Sequence, residues 1–269
     1  MKILFVGDVV GRPGRRAVAI GVPEIVNKYG CEFVIINGEN AAAGYGVTPK
    51  TADELLAAGA DVLTTGNHVY APKEAATMLE MYPQILRPAN FPPGNPGRGS
   101  GIFEAPNGAG IGVINLIGRV FMEPADCPFR TADAELERLK GADVTIVDFH
   151  AEATSEKQAL GYYLDGRVTA VIGTHTHVGT CDERVLDGGT AYITDCGMTG
   201  PINTVIGVDR NTVVRKFVTG MPARFEVPKG GEAVLSAVVV EVDLDKGGAK
   251  DIQRVSLRIS DRNPDLVEV

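Results

Sequence analysis

Short apolar, largely β-branched runs alternate with segments of helical spacing along most of the chain. This alternation constrains the fold most, because it is the pattern of an α/β protein with a largely parallel sheet. Strand candidates are Lys2 to Val6, Phe33 to Ile36, Val62 to Thr65, Ile111 to Ile117, Val144 to Phe149, Val168 to Ile172 and Ala191 to Thr194. Helices are expected over Arg15 to Lys28, Pro49 to Ala58, Pro72 to Met81, Ala132 to Lys140 and Glu156 to Leu164. Thr48 before Pro49 suits a cap with proline in the first helical position, and Thr154 or Ser155 is placed to cap the last helix. Pro23 is expected to interrupt the first helix.

The proline- and glycine-rich stretch from Arg87 to Gly101 reads as a long surface loop. Residues 196–231 read as irregular, and Ala233 to Leu244 with Arg254 to Ile259 as antiparallel strands that close the fold. No repeat or linker divides the chain. One domain over residues 1–269 is expected, with 196–231 as a cap segment over the site.

The chain has 269 residues, 44% of them hydrophobic and 22% charged, which places it among ordinary globular proteins rather than disordered ones. The apolar run Ile3 to Val6 is too short for a signal-peptide core and no later stretch approaches a membrane span, so a cytoplasmic location and no membrane partner are expected. Cys31, Cys127, Cys181 and Cys196 lie far apart with no CxxC pair, which argues for reduced, mostly buried thiols. A net charge of −8 argues against broad capture of long nucleic acid but leaves room for a small phosphorylated substrate, since bound cations would make a local site positive.

Five candidate strands end in residues able to bind metal: Asp8; Glu39 and Asn40; Asn67 and His68; His150; His175 and His177. In open α/β sheets ligands sit beyond the carboxyl ends of the strands, so these loops should be neighbours in space. All four histidines of the chain fall there. Singly, each residue has a plainer reading, as a cap, a turn or a satisfied buried histidine. Jointly those readings would have to hold at five strand ends. His175 and His177 are the sharpest signal, because residues two apart in extended chain face the same way.

Carboxylate, amide and imidazole donors without thiolate suit iron, manganese or zinc, and three imidazoles disfavour magnesium and calcium. The donors are too many for one open catalytic ion. They suit two ions that share a bridging carboxylate at roughly 3.5–4 Å.

The motif order resembles that of the calcineurin-like metallophosphoesterases, whose strand-end blocks run D-x-H, G-D-x-x-D, G-N-H-[DE], H and G-H-x-H. The counterparts are Asp8, Glu39 with Asn40, Gly66-Asn67-His68, His150, and Gly173 to His177. Val10 stands where that superfamily has His, and Glu39 where it has the bridging Asp. With GDVVG, NGEN and DCGMTG, the chain is similar to the YmdB-type branch of bacterial phosphodiesterases over nearly its whole length. The resemblance implies a four-layer α/β/β/α sandwich of two mixed sheets flanked by helices. It implies two divalent transition-metal ions, Fe or Mn, one held by Asp8, Glu39, Asn40 and His177 and the other by Glu39, Asn67, His150 and His175. It also implies His68 as proton donor, and a small-molecule phosphodiester or nucleotide as substrate, 2′,3′-cyclic nucleotides in particular. A homo-oligomer is compatible with all of this.

Other readings are weaker. Phosphomonoesters are the alternative substrate for the same chemistry. GDVVGRPG matches neither GxGxxG nor the P-loop spacing and leaves the histidines unexplained. A metal-dependent scaffold that binds RNA or a partner without turnover would not need His68. Arg12, Arg15 and Arg16 read as a solvated helix start rather than as phosphate contacts, while Asp148 and Thr174 are candidates to orient ligands. Asp195, Cys196, Met198 and Thr199 resemble a family segment near the site.

Overall fold

The computed structural model describes residues 1–260 and the backbone of 266–268. The first part of the chain runs β1 (Lys2–Val6), α1 (Gly11–Tyr29), β2 (Phe33–Asn37), α2 (Pro49–Ala57), β3 (Val62–Thr64) and α3 (Ala75–Met81). The middle runs β4 (Ser100–Glu104), β5 (Gly110–Ile117), α4 (Pro128–Arg138), β6 (Val144–His150), α5 (Thr154–Tyr163) and β7 (Ala170–Thr174). The last part holds β8 (Arg184–Val185), β9 (Ala191–Ile193), β10 (Gly200–Pro201), α6 (Arg210–Thr219), β11 (Ala233–Asp243), β12 (Gly248–Ile259) and β13 (Leu266–Glu268).

Two mixed sheets result. In the first the order is β13-β12-β11-β1-β2-β3, with β10 beside β11; in the second it is β4-β5-β6-β7-β9-β8. The expected closing strands are antiparallel to each other, and β11 also pairs antiparallel with β1. Side-chain alternation sorts each strand into layers. Ile3 and Phe5 of β1 pack between the sheets with Val144 and Ile146 of β6, whereas Leu4 and Val6 face Val18 and Val22 of α1. On the far side Val147 and Phe149 pack against Leu160 of α5. Helices thus flank a pair of facing sheets in the expected four layers.

Several local expectations need correction. α1 continues through Pro23: burial of Val18, Gly21, Val22 and Ile25 on the sheet outweighs the hydrogen bond that proline cannot donate. α5 has no hydroxyl cap, for Thr154 is already helical and Ala153 occupies the capping position. Thr48 does cap α2, and its hydroxyl accepts from Thr51 N. The Arg87 to Gly101 stretch is irregular up to β4 but not wholly a surface loop, since Arg87, Asn90 and Phe91 are buried and Asn90 donates to the carbonyl of Ile117 at 2.7 Å. Residues 196–231 contain β10 and α6. Of the thiols only Cys31 and Cys196 are buried, and Cys181 is exposed. Among the described residues, no helix is long and apolar enough to cross a membrane.

Candidate active site

The inward-facing positions of the strands are apolar until the last one or two, where they turn polar. In β6 the inward series runs Val144, Ile146, Asp148, His150, and in β7 it runs Ala170, Ile172, Thr174. Asp8, Asn37, Glu39, Asp148 and His150 are all at most 1% exposed. A cleft between the sheets therefore collects buried carboxylates, amides and imidazoles at the carboxyl ends.

The structure brings the seven strand-end donors into two adjoining groups. In one, His150 Nε2 lies 3.0 Å from His175 Nδ1, 3.2 Å from Asn67 Oδ1 and 3.7 Å from Glu39 Oε1. In the other, His177 Nε2 lies 3.1 Å from Asn40 Oδ1. Asn40 Nδ2 donates to the carbonyl of Gly44 at 3.0 Å, which turns the amide oxygen toward the site. Asp8 lies between the groups: its Oδ2 accepts from His175 N at 3.0 Å and its Oδ1 is 3.6 Å from His150 Nδ1. The carboxylate of Glu39 faces the first group, where it accepts from the backbone N–H of Gly66 and, at 2.5 Å, of His68.

Close approach explains the glycine of Gly66-Asn67-His68. A Cβ at Gly66 would stand 2.2 Å from Cδ2 of the His150 ring, so any side chain there would displace the imidazole. His68 itself packs edge-on against Tyr45, with ring centroids 4.9 Å apart.

His175 and His177 are not in extended chain. β7 ends at Thr174, and their φ values of 99° and 65° lie in the left-handed region that β-carbons disfavour. The two imidazoles accordingly diverge, one to each group, instead of facing one side together. Such strain persists only where the surroundings over-determine it. Here the surroundings are a buried ion pair absent from the sequence reading. Lys157 Nζ donates to Asp195 Oδ2 at 2.6 Å and to the carbonyl of Thr174 at 2.7 Å, and Asp195 Oδ2 also accepts from Thr176 N and its hydroxyl. Both members are 1% exposed. A lysine amid the apolar face of α5 was the available signal.

Thr174 and Asp148 hold His150. The Thr174 hydroxyl donates to Asp148 Oδ1 at 2.8 Å, so it accepts from His150 Nδ1 at 2.9 Å. That assigns the ring proton to Nδ1 and leaves the Nε2 lone pair aimed into the cleft. Asn37, also missed, donates to Asp148 Oδ2 at 2.8 Å and accepts from Glu39 N at 3.0 Å. Exposed Glu152 lies 3.2 Å from His175 Nε2.

Burial dominates the electrostatics. It pushes Asp8 up to about 6 and Glu39 well above the usual carboxylate range, while His150 falls well below the imidazole range and His175 drops to about 4. His68 is likewise lowered by burial. Asp8 Oδ1 is buried with no hydrogen-bond partner, an arrangement that costs on the order of 1–3 kcal/mol and calls for a cation or a donor. Among the described residues, no three His, Cys, Asp or Glu side chains stand as a preformed ion cage. The imidazole nitrogens are instead engaged with one another and with the amide oxygens, and a cation would replace those contacts. Donor types and the orphaned oxygen both fit divalent transition metal.

Residues 196–231 border the site. The carbonyl of Ile206 accepts from His177 Nδ1 at 2.8 Å, Met198 N donates to the His177 carbonyl at 3.3 Å, and Val227 packs beside Gly11 and Gly44.

The model of YmdB-like proteins matches residues 4–255. A 2′,3′-cyclic-nucleotide 2′-phosphodiesterase of Bacillus subtilis (strain 168) is 50% identical over 256 residues, 95% of this chain and 96% of that one. A putative phosphatase/phosphodiesterase of Mycoplasma pneumoniae is 38% identical over 274 residues, 98% of this chain and 95% of that one. The crystal structure of a hypothetical protein from Thermus thermophilus superposes with a TM-score of 0.90 at 43% identity, covering 96% of this chain and 99% of that one. That of a novel phosphatase from Mycoplasma pneumoniae gives 0.91 at 35% identity, covering 97% and 94%. An NAD nucleotidase of Haemophilus influenzae, at 14% identity and a TM-score of 0.61 over 100% of this chain and 59% of that one, shares the fold alone. The chain belongs to the YmdB-like family and is a phosphoric ester hydrolase of the calcineurin-like fold.

Proposed function

We propose that this protein hydrolyses 2′,3′-cyclic nucleotide phosphodiesters at a centre of two divalent transition-metal ions, Fe or Mn. Asp8, Glu39, Asn40 and His177 would hold one ion, and Glu39, Asn67, His150 and His175 the other. The observation that carries this reading is the buried, partnerless oxygen of Asp8 between two groups of neutral amide and imidazole donors. The kinship with a bacterial 2′,3′-cyclic-nucleotide 2′-phosphodiesterase supports the substrate.

Bound there, the ions would acidify an attacking water and neutralise phosphoryl charge. The protein's own work is positioning. Thr174 and Asp148 fix the tautomer of His150, Lys157 and Asp195 hold the strained turn of His175 and His177, and Gly44 orients Asn40. His68 is the proton donor to the departing ribose oxygen. Burial keeps the free imidazole neutral, and the negative charge of a neighbouring phosphodiester favours its protonated form. Residues 196–231 act as a cap, a role supported by the contact of Ile206 with His177.

Elemental analysis together with a substrate screen tests the reading. Protein loaded with Mn or Fe should carry about two ions per chain and cleave 2′,3′-cyclic AMP in preference to a nucleoside monophosphate. A loaded protein that cleaves only monoesters would make it a phosphomonoesterase; one that binds metal and cleaves neither would make it a binding scaffold.

A further inference from the structure

A cavity of about 840 Å³ adjoins the site, near the upper end of the roughly 300–1,000 Å³ typical of ligand pockets. One wall is the start of α1 with Arg12 and Arg15, and another is the loop from Ala42 to Tyr45, which begins two residues after Asn40. Residues 224–229 of the cap segment complete it. Four cationic side chains, Arg12, Arg15, Arg224 and Lys229, line it against one carboxylate, Glu226, in a chain whose net charge is −8. Tyr45 and Phe225 supply aromatic surface, with Lys216 Nζ over one face of the Phe225 ring at 4.5 Å from its centroid.

The cavity is continuous with the chemistry. Tyr45 is both part of its wall and the ring against His68, and Arg15 Nη1 donates to the carbonyl of Ala41 at 2.5 Å, tying the loop that carries Glu39 and Asn40 to α1. Arg15 also pairs with Glu54 at 2.5 Å, so its role is to hold that wall. Among the described residues Arg224 makes only an exposed pair, with Glu226 at 3.5 Å, an interaction of about 0–1 kcal/mol that a phosphate readily displaces. Cations that track a backbone beside aromatic rings on which bases stack are the means by which proteins take single-stranded nucleic acid. A 2′,3′-cyclic mononucleotide carries a single phosphate, so once that phosphate is engaged at the metal centre it has no second one for these cations to hold.

Resting on the function proposed above, we infer that this cavity is a subsite for the nucleotide that precedes a terminal 2′,3′-cyclic phosphate, so that the preferred substrate is the end of a short single-stranded RNA. In the reaction water adds to phosphorus, the bond from phosphorus to O2′ breaks, O2′ takes the proton, and the chain is left with a 3′-phosphate. Such ends arise when a 2′-hydroxyl attacks its neighbouring phosphodiester, so RNA cleavage of that class supplies the substrate.

The test compares 2′,3′-cyclic AMP with a tetraribonucleotide that ends in the same cyclic phosphate, on metal-loaded wild type and on the Arg224→Ala/Lys229→Ala double variant. In wild type, kcat/KM should favour the oligonucleotide at least about tenfold, with most of the gain in KM. That advantage should shrink with salt, on the order of 0.7 in log KM per log unit of salt for each phosphate held. In the double variant the ratio of the two kcat/KM values should fall toward one and the salt slope should flatten. Fluorescence anisotropy of a labelled tetranucleotide 3′-phosphate gives the same comparison without turnover, and its affinity should drop in the variant. Equal kcat/KM for both substrates in wild type, or an advantage untouched by the double substitution, overturns the subsite while leaving the proposed function standing. If neither cyclic phosphate is cleaved, both fail.

Discussion

The layer between the two sheets has two ends of opposite character. At the amino ends of the strands Ile3, Phe33, Val62, Ile111 and Val144 interlock, all at most 2% exposed. At the carboxyl ends the same inward positions carry Asn37, Asp148, His150 and Thr174. Backbone pairing is continuous from one end to the other, as in the register of β6 with β7 from Ile146 and Ala170 to His150 and Thr174. What differs is the balance in side chains. Apolar burial stabilises the first end, whereas burial at the second raises carboxyl groups and lowers imidazoles, so it costs free energy unless something charged is bound. Stability and chemistry are therefore set at opposite ends of one layer and should respond to mutation separately.

The largest expected separation comes from Asp8→Ala. Hydrolysis of 2′,3′-cyclic AMP should fall on the order of 10⁴-fold, because a metal centre is worth several kcal/mol of transition-state stabilisation. With both proteins metal-free, urea unfolding of the variant at pH 8 should be no easier than that of wild type. Its carboxyl titrates at about 6 in the fold against 3.8 ordinarily, so ionisation weakens the fold as pH rises through that window, and at pH 8 removal relieves the cost. Unfolding as facile as that of an apolar-end truncation would erase the distinction.

His68→Ala should cost roughly 10²–10⁴-fold with a nucleotide ester, yet much less with a nitrophenyl phosphodiester, whose phenolate leaves without a proton. Equal losses on the two substrates would remove His68 as proton donor. At the other end, Ile146→Ala should destabilise the protein by about 2–5 kcal/mol in urea while leaving the metal content of the folded protein intact; coupled loss of metal would show that the ends are not independent. The smallest effect is reserved for Thr174→Val, which deletes the hydroxyl between Asp148 and His150 without changing shape. Metal affinity should weaken about 10–100-fold by titration. No change in affinity would mean that His150 needs no such support.

The polar end was largely legible because its residues follow closely on apolar strand-like runs. Asp8, Glu39, Asn40, Asn67, His150, His175 and His177 needed only the strand pattern and the rule that carboxyl ends converge. The conformation of the last two was not legible: extended spacing predicted parallel imidazoles, but the turn is bent by Lys157 and Asp195, partners 38 residues apart in sequence. Glu152 and Asn37 were missed for the same reason, since their roles exist only through contacts with His175 and Asp148. α6 escaped notice because only Val213 of it is buried, which leaves no apolar stripe to read. Pro23 misled because a local rule gave way to packing on the sheet.

The insertion of β11 beside β1 has a consequence for synthesis. β1, with Ile3 to Val6 wholly buried, is flanked by β2 on one side and by β11 on the other. A ribosome completes the five polar strand ends by His177, more than fifty residues before β11 begins at Ala233. Throughout that interval the nascent chain carries an apolar strand with an open edge, the kind of surface on which chains aggregate. Elongation past residue 243 is what seals it, so the vulnerable period of this protein's life is set by its last strands, not by its catalytic loops.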